Sequence, residues 1–200
     1  MATEMTGSTR RFISCAVAVA GLTLGLALPA QAETINLVNG GFETGDFTGW
    51  TLSGNSGFMG VQCPGPSSSV DSGNCSAFAG PVGSLGFINQ TFTAAAGSRA
   101  SVSFAWLVDG GTPSEFDVEF DGVRFFDRIN PLVPSAAFGH PTVSGVLGAG
   151  STHTLTFSFR DDPGFILLDT VTLVVPEPAT LGLLGVALAG LGFSRRRKAA

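Results

Sequence analysis

The sequence of 200 residues predicts an all-β fold, an antiparallel β-sandwich in which a jelly roll is preferred over a closed barrel. Apolar and polar residues alternate with a period of two in several short segments, as expected of strands with one buried face. Turn sequences rich in glycine and aspartate separate these segments at regular intervals, which is typical of sandwiches. Between the two hydrophobic ends, no long stripe of apolar residues has the period of a helix.

The alternation is clearest in three segments, whose apolar positions are Val102, Phe104, Trp106 and Val108, then Phe116, Val118 and Phe120, then Leu155, Phe157 and Phe159. Asp121-Gly122 lies between two phenylalanine-rich segments and predicts a tight primed hairpin turn. Residues 165–175 are apolar on both faces and predict a central strand. A period of two places Asp169 of this strand on the same side as Val171 and Leu173, where an ionised carboxylate needs a partner.

Residues 1–32 predict a secretory signal peptide that forms a short apolar helix. The apolar run over residues 12–28 follows a pair of arginines and ends at Pro29-Ala30-Gln31-Ala32. We expect cleavage after Ala32, with Ala30 and Ala32 as the small residues of the cleavage site. An N-terminal membrane anchor is the weaker alternative, because the apolar run is short. The interior of the chain is therefore expected to be exported.

Residues 176–200 predict a second targeting segment, at the C-terminal end. A transmembrane helix is expected over residues 179–194, followed by a basic tail at 195–198. The apolar part of this helix, 15 residues to Phe193, is about 22 Å long and barely spans a hydrocarbon core of about 30 Å. The basic tail should stay on the cytoplasmic side, which leaves the bulk of the chain outside.

These residues resemble the PEP-CTERM sorting signal, which combines a Pro-Glu-Pro sequence, a short apolar helix and a terminal arginine cluster. The corresponding residues here are Pro176, Glu177 and Pro178, then Arg195, Arg196 and Arg197. The resemblance implies an exosortase as a partner, a membrane transpeptidase that cuts near Pro-Glu-Pro in Gram-negative bacteria that make extracellular polysaccharide. The expected route is export, transient residence in the inner membrane, then the cell surface or extracellular matrix. An ordinary anchor would give the same topology without the cut.

The interior, residues 33–175, is predicted to be one acidic domain. It contains 13 of the 15 acidic residues against four arginines and no lysine, a formal net charge of −9. Such a charge repels nucleic acid and attracts cations. Nucleic-acid binding is therefore excluded as a function, and the domain is large enough to bury a single core.

Cys63 and Cys75 predict a disulfide. They are the two cysteines that remain after the signal peptide leaves, in an oxidising compartment, with turn-forming residues between them. A bridge over a loop of this length contributes about 3 kcal/mol in the chain-entropy model. Two reduced thiols or a metal pair are the alternatives, but two cysteines without a nearby histidine make a poor zinc site.

The stretch from Asn39 to Trp50, with the pattern N-G-G-F-E-x-G-x-x-x-x-W, resembles the first strand and turn of galactose-binding-like domains, the jelly rolls common among carbohydrate-binding modules. Leu168-Asp169-Thr170-Val171 resembles their closing strand. The resemblance implies that Glu43 and Asp169, with backbone carbonyls, hold a structural calcium ion (Ca²⁺), which prefers oxygen ligands. The alternative is that Glu43 is an exposed turn carboxylate and Asp169 is bonded to backbone amides.

A catalytic site is not predicted. Asp117, Glu119 and Asp121 project from one face of a half-exposed strand, so we expect them to be solvated rather than paired across a cleft. The sequence has no G-x-S-x-G and no H-E-x-x-H motif, and we expect His140 and His153 to lie on the surface.

Sugar binding is favoured over catalysis, although Trp50 and Trp106 are both predicted to belong to the core. A binding rim could come instead from residues 109–114 or 130–141. The sequence therefore predicts an exported, non-enzymatic protein of the cell surface or matrix that binds glycans of a polysaccharide matrix. The alternatives are a structural or adhesive surface protein without sugar affinity and, less favoured, an exported hydrolase.

Overall fold

The computed structural model describes residues 32–131 and 137–176, together with the helical positions 185, 187 and 188. The predicted signal sequence up to residue 31, the basic tail and the rest of the predicted helix over 179–194 lie outside the described residues. Within the described part, no helix is long and apolar enough to cross a membrane.

Eleven strands are found among the described residues. They are β1 (Ala32–Ile35), β2 (Thr51–Gly54), β3 (Met59–Gln62), β4 (Ser76–Ala79), β5 (Gly86–Thr93), β6 (Arg99–Val108), β7 (Ser114–Phe120), β8 (Val123–Ile129), β9 (Thr142–Val146), β10 (Thr152–Asp161) and β11 (Ile166–Pro176). One sheet has five strands in the order β2-β5-β10-β7-β8. The other has six, in the order β3-β4-β11-β6-β9 with β1 also paired to β11. All pairs are antiparallel, so the predicted antiparallel β-sandwich is confirmed.

Phenylalanine rings from both sheets fill the core. The ring of Phe104 on β6 meets those of Phe116 on β7 and Phe157 on β10 edge to face, with centroids 5.7 and 5.4 Å apart. Such pairs add about 0.5–1.5 kcal/mol to the stabilisation from burial alone. The period-two rows predicted from the sequence are the rows that pack here, with Trp106 half-buried at their margin.

A bulge in β11 corrects the predicted orientation of Asp169. The register of β11 against β6 shifts between Asp169 and Thr172, and Thr170 has a φ of +52°. Because a bulge adds one residue to one strand, the side chains that follow it change faces. Val171 and Leu173 point into the core, whereas Asp169 shares the outer side with Leu167.

The β7–β8 hairpin has the predicted tight turn. Asp121 and Gly122 both have positive φ, +52° and +76°, as a type I′ turn requires. Asp121 therefore belongs to the turn and not to the strand that carries Asp117 and Glu119.

Candidate functional site

Glu43 and Asp169, the predicted calcium ligands, line one cavity of about 280 Å³ beside the bulge of β11. The backbone of Gly40 closes one wall, where its carbonyl accepts the N–H of Val171 at 2.9 Å. A side chain at Gly40 would collide with the carbonyl of Val171, so only glycine allows this approach. The structure thus brings together two residues that are 126 positions apart in the sequence.

Asp169 is fully buried and bonded to backbone amides. Its Oδ2 accepts the N–H groups of Asp71 and Ser72 at 2.9 and 3.0 Å, and its Oδ1 accepts that of Thr170 at 2.6 Å. Burial raises the pKa of Asp169, the three N–H groups lower it, and the negative charge of Asp71 raises it further, so that the pKa lies above its ordinary value. These bonds satisfy the carboxylate, as the alternative to calcium predicted.

Glu43 is exposed and binds the same loop as Asp169, the loop between β3 and β4. Its carboxylate accepts the N–H groups of Asn74, at 3.0 and 3.2 Å, and Cys75, at 3.1 Å. The predicted disulfide between Cys63 and Cys75 is confirmed and closes this loop between β3 and β4. The two acids and the disulfide therefore hold one loop against the closing strand.

The donor set at this cavity fits calcium. Both acids supply hard oxygen atoms, and Asp169 Oδ1 and Glu43 Oε2 each accept only one N–H. In the part of the chain that the structure describes, no group of three or more histidine, cysteine or acidic side chains is placed to hold a metal. Most ligands of an ion here would have to be backbone carbonyls and water, so calcium stays a prediction.

Asp71 is a member of this site that the sequence did not reveal. Its Oδ2 accepts the hydroxyl of Thr170 at 3.0 Å, and its Oδ1 lies 2.6 Å from Nε2 of the exposed His140. The surface position predicted for His140 is confirmed. Asp71 stands in a loop of turn formers, where no pattern separates it from an ordinary solvated aspartate.

The outer face of the five-stranded sheet carries a second polar site, centred on Arg124. Its guanidinium lies 3.1 Å from Asp117, 3.5 Å from Glu115 and Asp127, and 3.6 Å from Glu119. β7 supplies three of these carboxylates at alternate positions, and β8 supplies the other. One cation thus organises four acids on adjacent strands.

The prediction that Asp117 is solvated is wrong. Its side chain is fully buried, because Ser158 on β10 and Asp127 on β8 lie directly opposite and Arg124 covers it. Burial raises the pKa of Asp117 to about 7 against the lowering effect of Arg124. A position can point away from the core and still be inaccessible when its strand is flanked on both sides.

The surface prediction for His153 is also wrong. Its ring is buried, because it continues the inward row of Leu155 and Phe157 on β10, and it packs 5.7 Å from the ring of Phe92. Nδ1 of His153 lies 2.8 Å from Oδ2 of Asp121. Asp121, which we expected to be solvated, therefore contacts the ring of a buried histidine.

Asp121 also accepts hydrogen bonds from the backbone around the start of β10. Its carboxylate accepts the N–H groups of Gly148 and Thr154, both at 2.9 Å. Burial raises the pKa of Asp121, but these two N–H groups and His153 lower it, and the pKa lies below its ordinary value. Asp121 and His153 therefore form a structural pair.

The core prediction is confirmed for Trp50 and only in part for Trp106. Trp50 is buried, stacks on Phe42 at 5.8 Å and donates its Nε1–H to the carbonyl of Asn39 at 3.1 Å. Trp106 is half-buried and stacks on Phe116 at 5.1 Å. Neither indole is displayed as a platform for a ligand.

The outer face of the five-stranded sheet instead displays hydroxyl and amide groups beside the ring of Phe87 on β5, and charged groups farther across on β7 and β8. The ring of Phe87 is half-buried and lies against the bare backbone of Gly54, where a Cβ would come within 2.6 Å of it. The polar side chains on this face are Thr51, Ser53, Asn89, Thr91, Thr154, Thr156, Arg160, Glu115, Glu119, Arg124 and Asp127. A polar face of this kind offers hydrogen-bond partners to hydroxyl groups and few contacts to an apolar ligand.

Comparisons with solved structures define the class of the fold. A carbohydrate-binding module of family 61, solved in complex with β-1,4-galactotriose, is 18% identical with a TM-score of 0.56, over 70% of this chain and 97% of that one. The K1 cleaved adhesin domain of Lys-gingipain from Porphyromonas gingivalis W83 is 13% identical with a TM-score of 0.50, over 74% and 99%. The enzymatically active domain of tailspike protein 4 of bacteriophage CBA120 is 20% identical with a TM-score of 0.50, over 70% of this chain but 21% of that one. The chain has the β-sandwich fold of carbohydrate-binding modules.

The sequence comparisons identify the segment that follows the sandwich. Residues 174–198 match the PEP-CTERM protein-sorting motif. No curated protein matches the chain. The chain therefore carries a sorting motif that implies export and processing by an exosortase, as the sequence predicted.

Proposed function

We propose that this protein is an exported, non-enzymatic surface protein whose β-sandwich binds a neutral polysaccharide on the outer face of the five-stranded sheet. The observation that carries the proposal is the polar face around Phe87 and Arg124. It combines a ring with hydroxyl, amide and carboxylate groups, which together can pack against a sugar ring and bond to its hydroxyls. The sorting motif and the fold shared with a module bound to galactotriose support this proposal.

The charges on this face favour a neutral polysaccharide over an acidic one. Arg124 is surrounded by four carboxylates, and Arg160 is already paired with Asp162 at 2.7 Å. An acidic polymer would meet net negative charge here and across the whole domain. A neutral sugar can donate its hydroxyls to the carboxylates without that repulsion.

Binding is tested with the purified full-length chain on an array of neutral and acidic polysaccharides, including β-1,4-galactan. We expect signals on neutral polymers and none on acidic ones. Flat signals across the array would remove the glycan claim and favour the structural or adhesive alternative. Signals confined to acidic polymers would contradict the argument from charge.

An exported hydrolase is the third hypothesis, and Asp117 is its best candidate, because a pKa of about 7 suits a general acid. Its burial beneath Arg124 argues against that role, since a glycosidic oxygen could not reach it. We expect no reducing ends when the protein is incubated with the polysaccharides it binds. Release that is abolished by Asp117→Asn would establish the hydrolase instead.

We further propose that an exosortase cuts the chain near Pro176-Glu177-Pro178 and that the sandwich then resides at the cell surface or in the matrix. β11 ends at Pro176, so the Pro-Glu-Pro sequence begins at the last paired residue of the sandwich. Proline cannot donate to a ladder, which makes Pro176 a natural end for β11. The folded domain would thus be complete on the exported side of the cut.

Calcium at Glu43 and Asp169 is proposed as a structural part of this domain. Melting curves of the full-length chain, recorded with calcium and with a chelator, test it through the variant Glu43→Gln. We expect calcium to raise the melting temperature of the wild type by more than that of the variant, because the ion binds only the folded state. Equal increments in the two proteins would reject this site.

A further inference from the structure

A carboxylate without an ion-pair partner or a well-formed hydrogen bond is buried where β10 ends. Asp161 is fully buried and continues the inward row of Phe157 and Phe159. Neither of its oxygens accepts a well-formed hydrogen bond. Across the sheet, its register partner Ser114 is also buried, and its hydroxyl has no partner either. Buried polar groups in folded proteins are almost always satisfied, so these two neighbours mark a place where a bound ion or water would be held.

Further oxygen atoms converge on Asp161. Gly111 lies against both the carboxylate of Asp161 and the carbonyl of Pro163, and a side chain at position 111 would collide with both. Gly164 lies against the carboxylate of Asp109, and its Cβ, if present, would be 3.0 Å from Cγ of Asp161. Two glycines therefore allow two carboxylates and one carbonyl to crowd together at one end of the sandwich.

The cluster has no counter-charge. In the described part of the chain, neither Asp109 nor Asp161 belongs to an ion pair, and the nearby Arg160 is taken by Asp162. Burial raises the pKa of Asp161 to about 6, and the charges of Asp109 and Asp162 also raise it, against the N–H of Gly111. Above that pH the site holds uncompensated negative charge, which a bound cation would neutralise.

We propose that Asp161 and Asp109, with the carbonyl of Pro163, bind a calcium ion at this end of the sandwich. Calcium takes six to eight oxygen ligands with flexible geometry, and carboxylates, backbone carbonyls and water are its usual set. Nitrogen and sulfur ligands are not among the groups that converge here, which disfavours zinc. Asp109 is exposed and gives the ion a path from solvent. This site shares no residue with the Glu43 and Asp169 cavity and does not depend on glycan binding.

The test counts calcium ions bound per full-length chain by equilibrium dialysis after chelator treatment. The variants are Asp161→Asn, Asp109→Asn and the control Asp127→Asn, which removes the same charge from an exposed position on β8. We expect Asp161→Asn to bind one ion fewer than the wild type and Asp109→Asn to bind that ion at least tenfold more weakly. Asp127→Asn and Glu43→Gln should both retain it.

The proposal is overturned if the wild type binds no calcium, or if Asp161→Asn binds as many ions as the wild type with the same affinity. Asp161 would then be protonated and uncharged in the folded protein, so that an uncharged asparagine could replace it. If Asp161→Asn does not fold, Asp109→Asn decides, because Asp109 is exposed. Unchanged affinity in that variant would overturn the site as well.

Discussion

Asp117 illustrates how far a single residue can be predicted. The period of two correctly placed it on the outer face of its strand, opposite Ser158 and Asp127. The turn at Asp121-Gly122 predicts the pairing of β7 with β8, but not that the side chain of Arg124 reaches past its register partner Glu119 to cover Asp117. The inward side of His153 could have been predicted, because a period of two extends the row of Leu155 and Phe157 to position 153. Its contact with Asp121 could not, since that contact joins two segments that are distant in the sequence.

The raised pKa of Asp117 makes the stability of the protein depend on pH. Its carboxyl has a pKa of about 7 in the folded protein and about 3.9 in an unfolded chain, so the folded state binds more protons between these two values. The contribution of Asp117 to stability is therefore complete below about pH 4 and is lost as the pH rises through 7, by about 1.4 kcal/mol for each pH unit in this interval. We expect the free energy of unfolding, measured by urea titration with chelator present, to fall between pH 6 and 7.

Asp117→Asn should flatten this decline, whereas Asp127→Asn, an exposed partner of the same arginine, should retain it. The interval from pH 6 to 7 is chosen because most of the contribution of Asp161, whose pKa is about 6, is already lost below it. Equal slopes in the wild type and Asp117→Asn would show that Asp117 is ionised in the folded protein throughout.

At the scale of elements, the sequence predicted the strands and the disulfide that closes the loop between β3 and β4. It did not predict the bulge in β11. The rows of β6, β7 and β10, the turn at Asp121-Gly122 and the disulfide were all predicted from local patterns. The bulge after Asp169 lies in an uninterrupted apolar run, where a change of register leaves no mark on the pattern. The resemblance to galactose-binding-like domains nevertheless selected Glu43 and Asp169, which do meet at one cavity.

Removing the Asp169 carboxylate should destabilise the fold strongly. Asp169→Ala would leave the N–H groups of Asp71, Ser72 and Thr170 without their acceptor, at about 1–3 kcal/mol for each group that stays buried. We expect a loss of about 3 kcal/mol or more in the free energy of unfolding, measured by urea titration. Ser144→Ala, an exposed hydroxyl on β9, is the control and should cost less than about 1 kcal/mol, as expected of a surface change. A comparable effect of the two changes would show that water replaces the acceptor.

Removing the disulfide should lower the free energy of unfolding by a similar amount, but for a different reason. In the double variant Cys63→Ser, Cys75→Ser the unfolded chain regains the freedom of its loop, worth about 3 kcal/mol. The bonds from Glu43 and Asp169 to the loop should persist, so the variant should fold with the circular dichroism spectrum of the wild type. A variant that melts at the wild-type temperature would show that those bonds alone fix the loop.

At the scale of the molecule, the last strand of the sandwich overlaps the start of the sorting motif. β11 pairs with β4, β6 and β1, and the sorting motif begins within its last three residues. This order could be predicted, because the sorting signal is a local pattern and the closing strand is strongly apolar. The face that we propose for glycan binding could not be predicted, since it is assembled from five strands that are distant in the chain.

Sorting can be tested on the natural product. In a host with an exosortase, intact-mass spectrometry should find the wild type cut near Pro176-Glu177-Pro178, whereas Glu177→Ala should keep the mass of its tail. Pro176 ends β11, so the change at position 177 should leave the sandwich and its melting temperature unaffected. An uncut wild type in that host would indicate a plain membrane anchor.

Polysaccharide binding by the outer face of the five-stranded sheet is tested most directly by affinity electrophoresis of the full-length chain in gels that contain a neutral polysaccharide bound on the array. Asn89→Ala removes an amide from that face, and Ser144→Ala removes a hydroxyl from the outer face of the other sheet. We predict that the polymer retards the wild type and Ser144→Ala equally and that Asn89→Ala binds it with an apparent affinity at least tenfold lower. Equal retardation of all three proteins would contradict the account by placing the ligand elsewhere on the molecule.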